Sequence, residues 1–162
     1  MGVVRDLISL TTPKITQLNV AAALACYVAS GGIPSGIPLL GPLGYGAAGG
    51  SSALNNALDA DIDGRMRRTA RRPIPSGRLS RRKALAFGTA LTSLSVLLAF
   101  IAFNPLTALA TLLGALSYVF LYTLYLKRRT DLNIAIGGMA GTFPPLAGAA
   151  TASGTVLYSV MV

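Results

Sequence analysis

The sequence predicts an all-α fold, a polytopic membrane helix bundle, and three observations support that prediction. Of the 162 residues, 52% are apolar and only 12% are charged, whereas soluble domains carry roughly 25% charged residues. Uncharged runs of about 20 residues, enough to cross a bilayer as a helix, alternate with short polar segments. The basic residues fall in every second connection. We therefore expect five transmembrane helices and the start of a sixth, in a single, incomplete domain covering residues 1–162.

The first helix is expected over residues 15–30. Thr12 is its expected N-cap and Pro13 its first helical residue, because proline is favoured at that position. The glycines and the proline within residues 31–36 predict a turn after this helix.

The second helix should begin at Pro38 or Pro42 and end near Asp63. Five glycines lie within residues 41–50, a composition that makes a poor helix in water. Inside a bilayer, small residues let helix backbones approach closely. We therefore expect this helix to be central and packed on several sides.

The remaining elements follow from polar residues, proline and glycine. Ser80 is the expected cap of the third helix, and Pro144 with Pro145 should kink the fifth. The expected elements are a polar loop over 64–80, a third helix over 81–103, an outer turn at 104–105, a fourth helix over 106–126, a charged loop over 127–131, a fifth helix over 132–150 and a turn over 151–155.

The distribution of charge predicts one orientation in the membrane. All fourteen Lys and Arg residues lie in the N-terminal segment, in residues 65–83 or in residues 127–129, and neither outer turn carries a charge. Positively charged loops stay on the cytoplasmic side. We therefore expect a multi-pass protein of the cell inner membrane with its N-terminus and charged loops cytoplasmic. Because the positive charges lie between apolar spans, nucleic acid is excluded as a partner.

Three of the five acidic residues lie near the end of the second helix, directly before nine of the fourteen basic residues. Asn55, Asp59 and Asp63 are spaced four apart and form one stripe on a helix, whereas Asp61 points elsewhere. Charge near hydrocarbon must be compensated, and Mg²⁺ is usually held by one or two carboxylates plus substrate phosphates. Together with arginines for phosphate oxygens, this stripe predicts a Mg²⁺-dependent site for a lipid diphosphate.

Simpler interpretations of the same residues stay open. The acids could be an exposed helix end neutralised by arginines, and the basic loop could set topology or bind anionic headgroups of membrane lipid. The absence of histidine excludes Ser-His-Asp triads and HExxH zinc sites in this chain. Cys26 is the only cysteine, so no disulfide forms within the chain.

Several short motifs follow one another along the sequence. They are Leu10-Thr11-x-Pro13-Lys14-Ile15-Thr16, Asn55-x3-Asp59-x3-Asp63, Arg68-Thr69-x2-Arg72-Pro73-x-Pro75-Ser76-Gly77, Tyr122-Thr123-Leu124-Tyr125-Leu126-Lys127-Arg128-Arg129-Thr130, Asn133-Ile134, Gly137-Gly138 and Pro144-Pro145-Leu146-x-Gly148. This ordered set resembles the UbiA superfamily of intramembrane prenyltransferases, and within it the branch that farnesylates haem, the haem O synthases. The resemblance covers essentially the whole chain.

The resemblance implies a nine-helix fold around a central cavity, with two aspartate-rich motifs and Mg²⁺ binding an isoprenoid diphosphate. The implied reaction transfers a farnesyl group from farnesyl diphosphate to a vinyl carbon of haem B, giving haem O. Asn55, Asp59 and Asp63 match the catalytic first motif, with Asp59 and Asp63 as metal ligands. The implied substrate-binding residues are Arg68, Arg72, Lys127, Arg128 and Tyr122.

Three tyrosines in or just before the motif at residues 122–130 have two possible interpretations. Tyr118, Tyr122 and Tyr125 could stabilise an allylic cation through their ring faces. Equally, aromatic residues at this spacing serve as packing groups or interfacial anchors.

Two departures from the family pattern matter. Asn56 stands where many relatives have an acid, and no acid lies beyond Asp131, so the second aspartate motif has no counterpart. The last apolar run, 156–162, is too short to cross a bilayer. We therefore expect a fragment, a truncated product or half of a split protein that is inactive alone, and a complementary C-terminal half is one candidate partner.

Two other functions remain as alternatives. The chain could belong to another UbiA-type prenyltransferase that acts on a quinone or lipid acceptor. It could also be a non-catalytic membrane subunit, in which case the acids would be dispensable.

Overall fold

The computed structural model of the chain describes residues 2–126 and 138–153. Every regular element within these residues is a helix, and none of them forms a strand. The predicted all-α class is therefore confirmed for the part of the chain that is described.

The described residues form seven α-helices joined by turns. Their bounds are α1 (Val3–Leu10), α2 (Pro13–Ala29), α3 (Ile37–Leu58), α4 (Ala60–Asp63), α5 (Arg81–Ala102), α6 (Pro105–Leu116), which continues as a π-helix (Ser117–Leu126), and α7 (Phe143–Ser153). Two 3₁₀ segments, Pro34–Gly36 and Gly138–Thr142, precede α3 and α7.

Polar side chains fix the starts of the two long apolar helices. Ser80 accepts a hydrogen bond from the backbone N–H of Lys83 (3.4 Å) at the start of α5. Asn104 accepts one from the backbone N–H of Thr107 (2.8 Å) at the start of α6. Each bond satisfies a donor that the helix itself leaves without a partner, and the predicted cap at Ser80 is confirmed.

Thr12 takes the N-cap position of α2, with Pro13 as the first helical residue, but its side chain makes no capping hydrogen bond. Its φ of 44° lies in the left-handed region, which β-branched residues rarely adopt. The Thr12 hydroxyl lies 2.5 Å from Oγ of Ser52 on α3 instead. The predicted N-cap position of Thr12 is therefore confirmed, and its hydroxyl joins α2 to α3.

α3 is the central helix, as its small residues predict. It contacts α1, α2, α5, α6 and the π-helix, and more than half of its residues are buried. Its closest crossing is with α5, where a Cβ atom at Gly88 would lie 2.8 Å from the carbonyl oxygen of Gly50. The two backbones can approach this closely only because both positions lack a side chain.

Two of the described helices are long and apolar enough to cross a membrane. They are Arg81–Ala102, with a mean hydropathy of 2.1, and Pro105–Thr123, with a mean hydropathy of 1.6. Both support a helical membrane protein, and the count of five spans stays a prediction.

The second predicted helix ends earlier than expected. α3 stops at Leu58, and a single further turn, α4, carries the chain from Ala60 to Asp63. α1 has no counterpart among the predicted elements, because only segments long enough to cross a bilayer were predicted as helices and α1 has eight residues.

The fourth and fifth predicted helices also differ in detail. The fourth is α-helical to Leu116 and π-helical from Ser117 to Leu126. Within the described residues, the fifth is a 3₁₀ segment over Gly138–Thr142 and an α-helix from Phe143, so Pro144 and Pro145 lie in the first turn of α7, where a missing N–H is tolerated. The predicted turn at 151–153 is wrong, because these residues are helical, and the kink at the two prolines stays a prediction. Residues 127–137 and 154–162, with the loop, the start of the fifth helix and the final apolar run predicted there, lie outside the described residues.

Candidate functional site

Asn55, Asp59 and Asp63 stay on one helical path across the break between α3 and α4. The backbone N–H of Asp59 donates to the carbonyl oxygen of Asn55 (2.9 Å), and that of Asp63 donates to the carbonyl oxygen of Asp59 (2.8 Å). The four-residue spacing of the stripe is thus preserved. All three side chains are buried, whereas Asp61 is exposed, as the spacing predicts.

An arginine from the following loop holds the last acid of the stripe. Nη1 of Arg72 lies 2.6 Å from Oδ2 of Asp63, and the Asp63 side chain is 4% exposed. The hydroxyl of Thr69 donates to the carbonyl oxygen of Asp63 (2.9 Å), which folds the loop back onto α4. Arg72 therefore compensates a carboxylate that burial would otherwise destabilise.

The structure brings only one of the two predicted motif arginines to the acids. Arg72 pairs with Asp63, whereas Arg68 is exposed and forms no ion pair with any described residue. The other predicted basic residues, Lys127 and Arg128, lie outside the described residues.

The π-helix fixes the amide of Asn55. Nδ2 of Asn55 donates to the hydroxyl of Tyr118 (3.1 Å) and to the hydroxyl of Thr123 (3.2 Å). Thr123 in turn donates to the carbonyl oxygen of Tyr118 (2.9 Å). In an α-helix, residues five apart lie on different faces, but π-winding joins residues i and i+5. The π-helix is thus what brings both hydroxyls to one amide.

Tyr118 connects this amide to the charged residues. Its ring stacks on that of Tyr122, with centroids 5.7 Å apart and an interplanar angle of 15°. It is also close enough to Asp59 and Arg72 to interact with them electrostatically. Tyr118 therefore lies beside the acid stripe with Tyr122 stacked on it, whereas Tyr125 is exposed.

Thr123 is the site residue that sequence reasoning missed. A threonine inside an apolar run gives no signal of its own, and α-helical spacing places it away from Tyr118. Only the π-winding of residues 117–126 reveals the pair.

Asn56 has a structural role. Its Nδ2 donates to the carbonyl oxygen of Leu10 at the end of α1 (2.9 Å) and to that of Ser52 (3.0 Å). The amide thus joins α1 to α3, and it points away from the stripe that Asn55 begins.

A cavity of 290 Å³ lies between α2, α3, α6 and α7. Most of its lining is apolar, and it reaches Ser51, Ser52 and Tyr118. The two serines lie one turn before Asn55 and Asn56 on α3. The cavity therefore ends next to the residues at the start of the acid stripe. An apolar cavity with polar groups at one end suits a ligand with an apolar tail and a polar head.

The donor set fits a hard cation. Asp59 and Asp63 place two buried carboxylates one turn apart. Because the NH₂ group of Asn55 donates to Tyr118 and Thr123, its side-chain carbonyl oxygen remains as an acceptor. Within the described residues, no three His, Cys, Asp or Glu side chains lie close enough together to hold one metal ion, so further ligands would be water or substrate oxygens, the pattern usual for Mg²⁺.

Comparison with known proteins gives one consistent picture. Residues 18–162 match the UbiA prenyltransferase family. The chain is 45% identical over 99% of its length to a protohaem IX farnesyltransferase of Chloroflexus aurantiacus, of which it covers 28%. It is 49% identical over 93% of its length to the corresponding enzyme of Acidiphilium cryptum, of which it covers 48%. It is 43% identical over 97% of its length to the Korarchaeum cryptofilum enzyme, of which it covers 54%.

The chain thus spans about half, or less, of the length of these curated relatives. No solved structure matches the chain.

Proposed function

The chain belongs to the UbiA prenyltransferase family, and from that premise we propose that it supplies the first diphosphate-binding half of an enzyme that farnesylates haem B to haem O. Relatives that are 43% to 49% identical over nearly the whole chain bear the name protohaem IX farnesyltransferase. The observation that carries the proposal is the buried Asp59–Asp63 pair, with Arg72 on its outer acid. An apolar cavity reaches Tyr118, the hydrogen-bond partner of Asn55 at the start of the same stripe.

Each part of the site has a role in this reaction. The apolar cavity receives the isoprenoid tail, and its dry walls keep water away from the reacting allylic carbon. Arg72 binds the diphosphate oxygens as a permanently charged donor. Asn55, Asp59 and Asp63 would hold Mg²⁺, which when bound neutralises the charge of the departing diphosphate. Tyr118, bonded to Asn55, and Tyr122, stacked on it, supply polarisable rings at the site.

The proposed setting is a bacterial-type inner membrane with the acid stripe at its cytoplasmic side. The exposed basic residues between 65 and 83 and the first turn of α5 lie at the same end of a membrane-spanning helix. The positive-inside rule assigns that end to the cytoplasm. Five spans in this chain remain part of the proposal.

A binding experiment tests the diphosphate site without requiring turnover. The detergent-purified chain is titrated with a farnesyl thiodiphosphate analogue, with and without Mg²⁺. We expect saturable binding that depends on Mg²⁺ and that farnesol fails to reproduce. Binding of farnesol as tight as that of the analogue would contradict a diphosphate site.

An activity experiment tests the acceptor. Membranes containing the chain, alone and together with the C-terminal portion of the Acidiphilium cryptum relative, receive haem B, farnesyl diphosphate and Mg²⁺, and products are separated by mass. Haem O is the expected product of the paired halves. A prenylated quinone precursor without haem O would instead favour another UbiA-type prenyltransferase.

A further inference from the structure

α1 carries more apolar surface than the bundle covers. Leu10 is buried and Leu7 is partly buried against the core of α3 and α5. Val4 and Ile8, four residues apart and so on one stripe, are 70% and 53% exposed. A helix this short gains little from its own hydrogen bonds and is stabilised by burying an apolar face. We therefore expect another molecule to cover the exposed Val4–Ile8 stripe.

The position of α1 next to the first turn of α5 indicates what covers this stripe. Leu10 packs in one cluster with Leu79 and Ala84, and Ala84 lies in the first turn of the membrane-spanning helix α5. α1 therefore lies at the level where this span meets the lipid headgroups. At that level an apolar stripe faces the boundary between headgroups and acyl chains, where amphipathic helices bind.

Charge complementarity favours anionic headgroups. Nine basic residues lie between 65 and 83, and of these only Arg72 and Arg78 form ion pairs with described residues. Arg5 of α1 and Lys14 of α2 are also exposed. Uncompensated cations beside a membrane span attract anionic lipid, each contributing about 1 kcal/mol near the surface.

α1 is attached firmly to the basic loop. Nε of Arg78 donates to Oδ1 of Asp6 (3.3 Å), and Nη2 of Arg78 donates to the carbonyl oxygen of Arg71 (3.1 Å). Asp6 is itself buried. The apolar stripe and the exposed cations thus belong to one surface of the molecule.

We propose that α1 is an interfacial membrane anchor whose Val4–Ile8 stripe inserts among the headgroups of an anionic bilayer on the side of the basic loop. This role is independent of the proposed prenyl transfer. A partner of this kind needs no fixed shape, because lipid conforms to a narrow apolar stripe.

The absence of tryptophan from the chain makes the test direct. Ile8→Trp places a single indole on the stripe, and Ser9→Trp places one on the exposed polar side of the same helix as a matched control. Both proteins are reconstituted in nanodiscs of phosphatidylcholine with phosphatidylglycerol, and quenching is measured with lipids brominated near the carbonyl end. Val4→Trp is a second stripe position in case Ile8→Trp fails to fold.

We expect brominated lipid to quench Ile8→Trp and Val4→Trp with a blue-shifted emission, and Ser9→Trp to respond to aqueous iodide instead. Removing phosphatidylglycerol or raising salt should reduce the quenching on the stripe. The proposal would be overturned if iodide quenched tryptophan at the stripe positions. It would also be overturned if protein or a second copy shielded these tryptophans from both quenchers. Equal lipid quenching at Ser9 would overturn it too, because it would show no oriented stripe.

Discussion

At the scale of single residues, the site depends on how buried polar groups are satisfied. Asp63 is compensated by Arg72, and the Asn55 amide by two hydroxyls. A buried charge or amide that loses its partner destabilises the fold by more than the interaction itself contributes. Substitutions of these residues therefore change stability as well as binding. Each substitution needs, as its control, the same change at a nearby residue of the same type.

Replacing Asp63 by Asn should weaken Mg²⁺-dependent binding of the farnesyl analogue by roughly tenfold or more, about 1.4 kcal/mol. The change removes one of two carboxylates and releases Arg72. Asp61→Asn alters the same chemistry at an exposed position two residues earlier and should leave affinity within about twofold, as surface substitutions usually do. Equal losses in the two variants would argue against a specific role for the stripe.

Alanine substitutions of the adjacent residues Asn55 and Asn56 should affect different properties, ligand affinity in the first case and stability in the second. Asn55→Ala frees the hydroxyls of Tyr118 and Thr123 and should lower affinity for the analogue. Asn56→Ala leaves the Leu10 carbonyl oxygen unsatisfied and should reduce the free energy of unfolding by about 1–3 kcal/mol while affinity is unchanged. Thermal unfolding and analogue titration in the same detergent distinguish the two; loss of affinity in Asn56→Ala would contradict its structural role.

At the scale of helices, local signals predicted the starts of the elements better than their winding. Ser80 at the start of α5 and Pro13 at the start of α2 stand where the sequence placed them, because capping depends on neighbouring residues. The π-winding of residues 117–126 was not predicted, because it is supported by contacts with Asn55, far away in the sequence.

The same limit applies to the candidate site. Helical spacing brought Asn55, Asp59 and Asp63 together correctly, since the three share one stretch of helix. It could not say which arginine reaches the acids, because the irregular loop 64–80 decides that through Thr69 and Arg72.

The crossing of α3 and α5 should tolerate no side chain. Gly88→Ala places a Cβ atom 2.8 Å from the Gly50 carbonyl oxygen and 3.0 Å from the backbone nitrogen of Leu54, and neither atom can move without moving a helix. We expect destabilisation of about 1–3 kcal/mol, measured by thermal unfolding in detergent.

Gly41→Ala is the matched control in the same central helix. A Cβ atom at Gly41 would have no described atom within 4 Å, so this variant should be neutral or stabilised by up to about 1 kcal/mol. Similar melting temperatures for Gly88→Ala and Gly41→Ala would show that the crossing is looser than described.

At the scale of the whole molecule, charge and apolar length set the arrangement in the membrane. α5 and the apolar helix that follows it are both long and apolar enough to span a membrane, and they are joined at Asn104. The basic residues of the described chain lie at the opposite end of this pair. The described chain therefore has one end with the candidate site and the basic residues and another end without charge, and we propose that the first of these is cytoplasmic.

Thiol labelling can check this orientation. In a Cys26→Ala background expressed in a bacterial inner membrane, Ser35→Cys in the turn before α3 and Ser76→Cys in the basic loop are both exposed. A membrane-impermeant maleimide should label Ser35→Cys on intact spheroplasts and Ser76→Cys only after permeabilisation. The reverse pattern would place the acid stripe on the outer side.

The ion pair between Arg72 and Asp63 also has a thermodynamic consequence. While Arg72 occupies one oxygen of Asp63, a cation arriving alone must displace it and leave the guanidinium without an anion. A diphosphate gives Arg72 another anion, so each ligand lowers the cost of binding the other. Because such linkage is reciprocal, Mg²⁺ and diphosphate should bind with positive cooperativity, and the chain should discriminate against either ligand on its own.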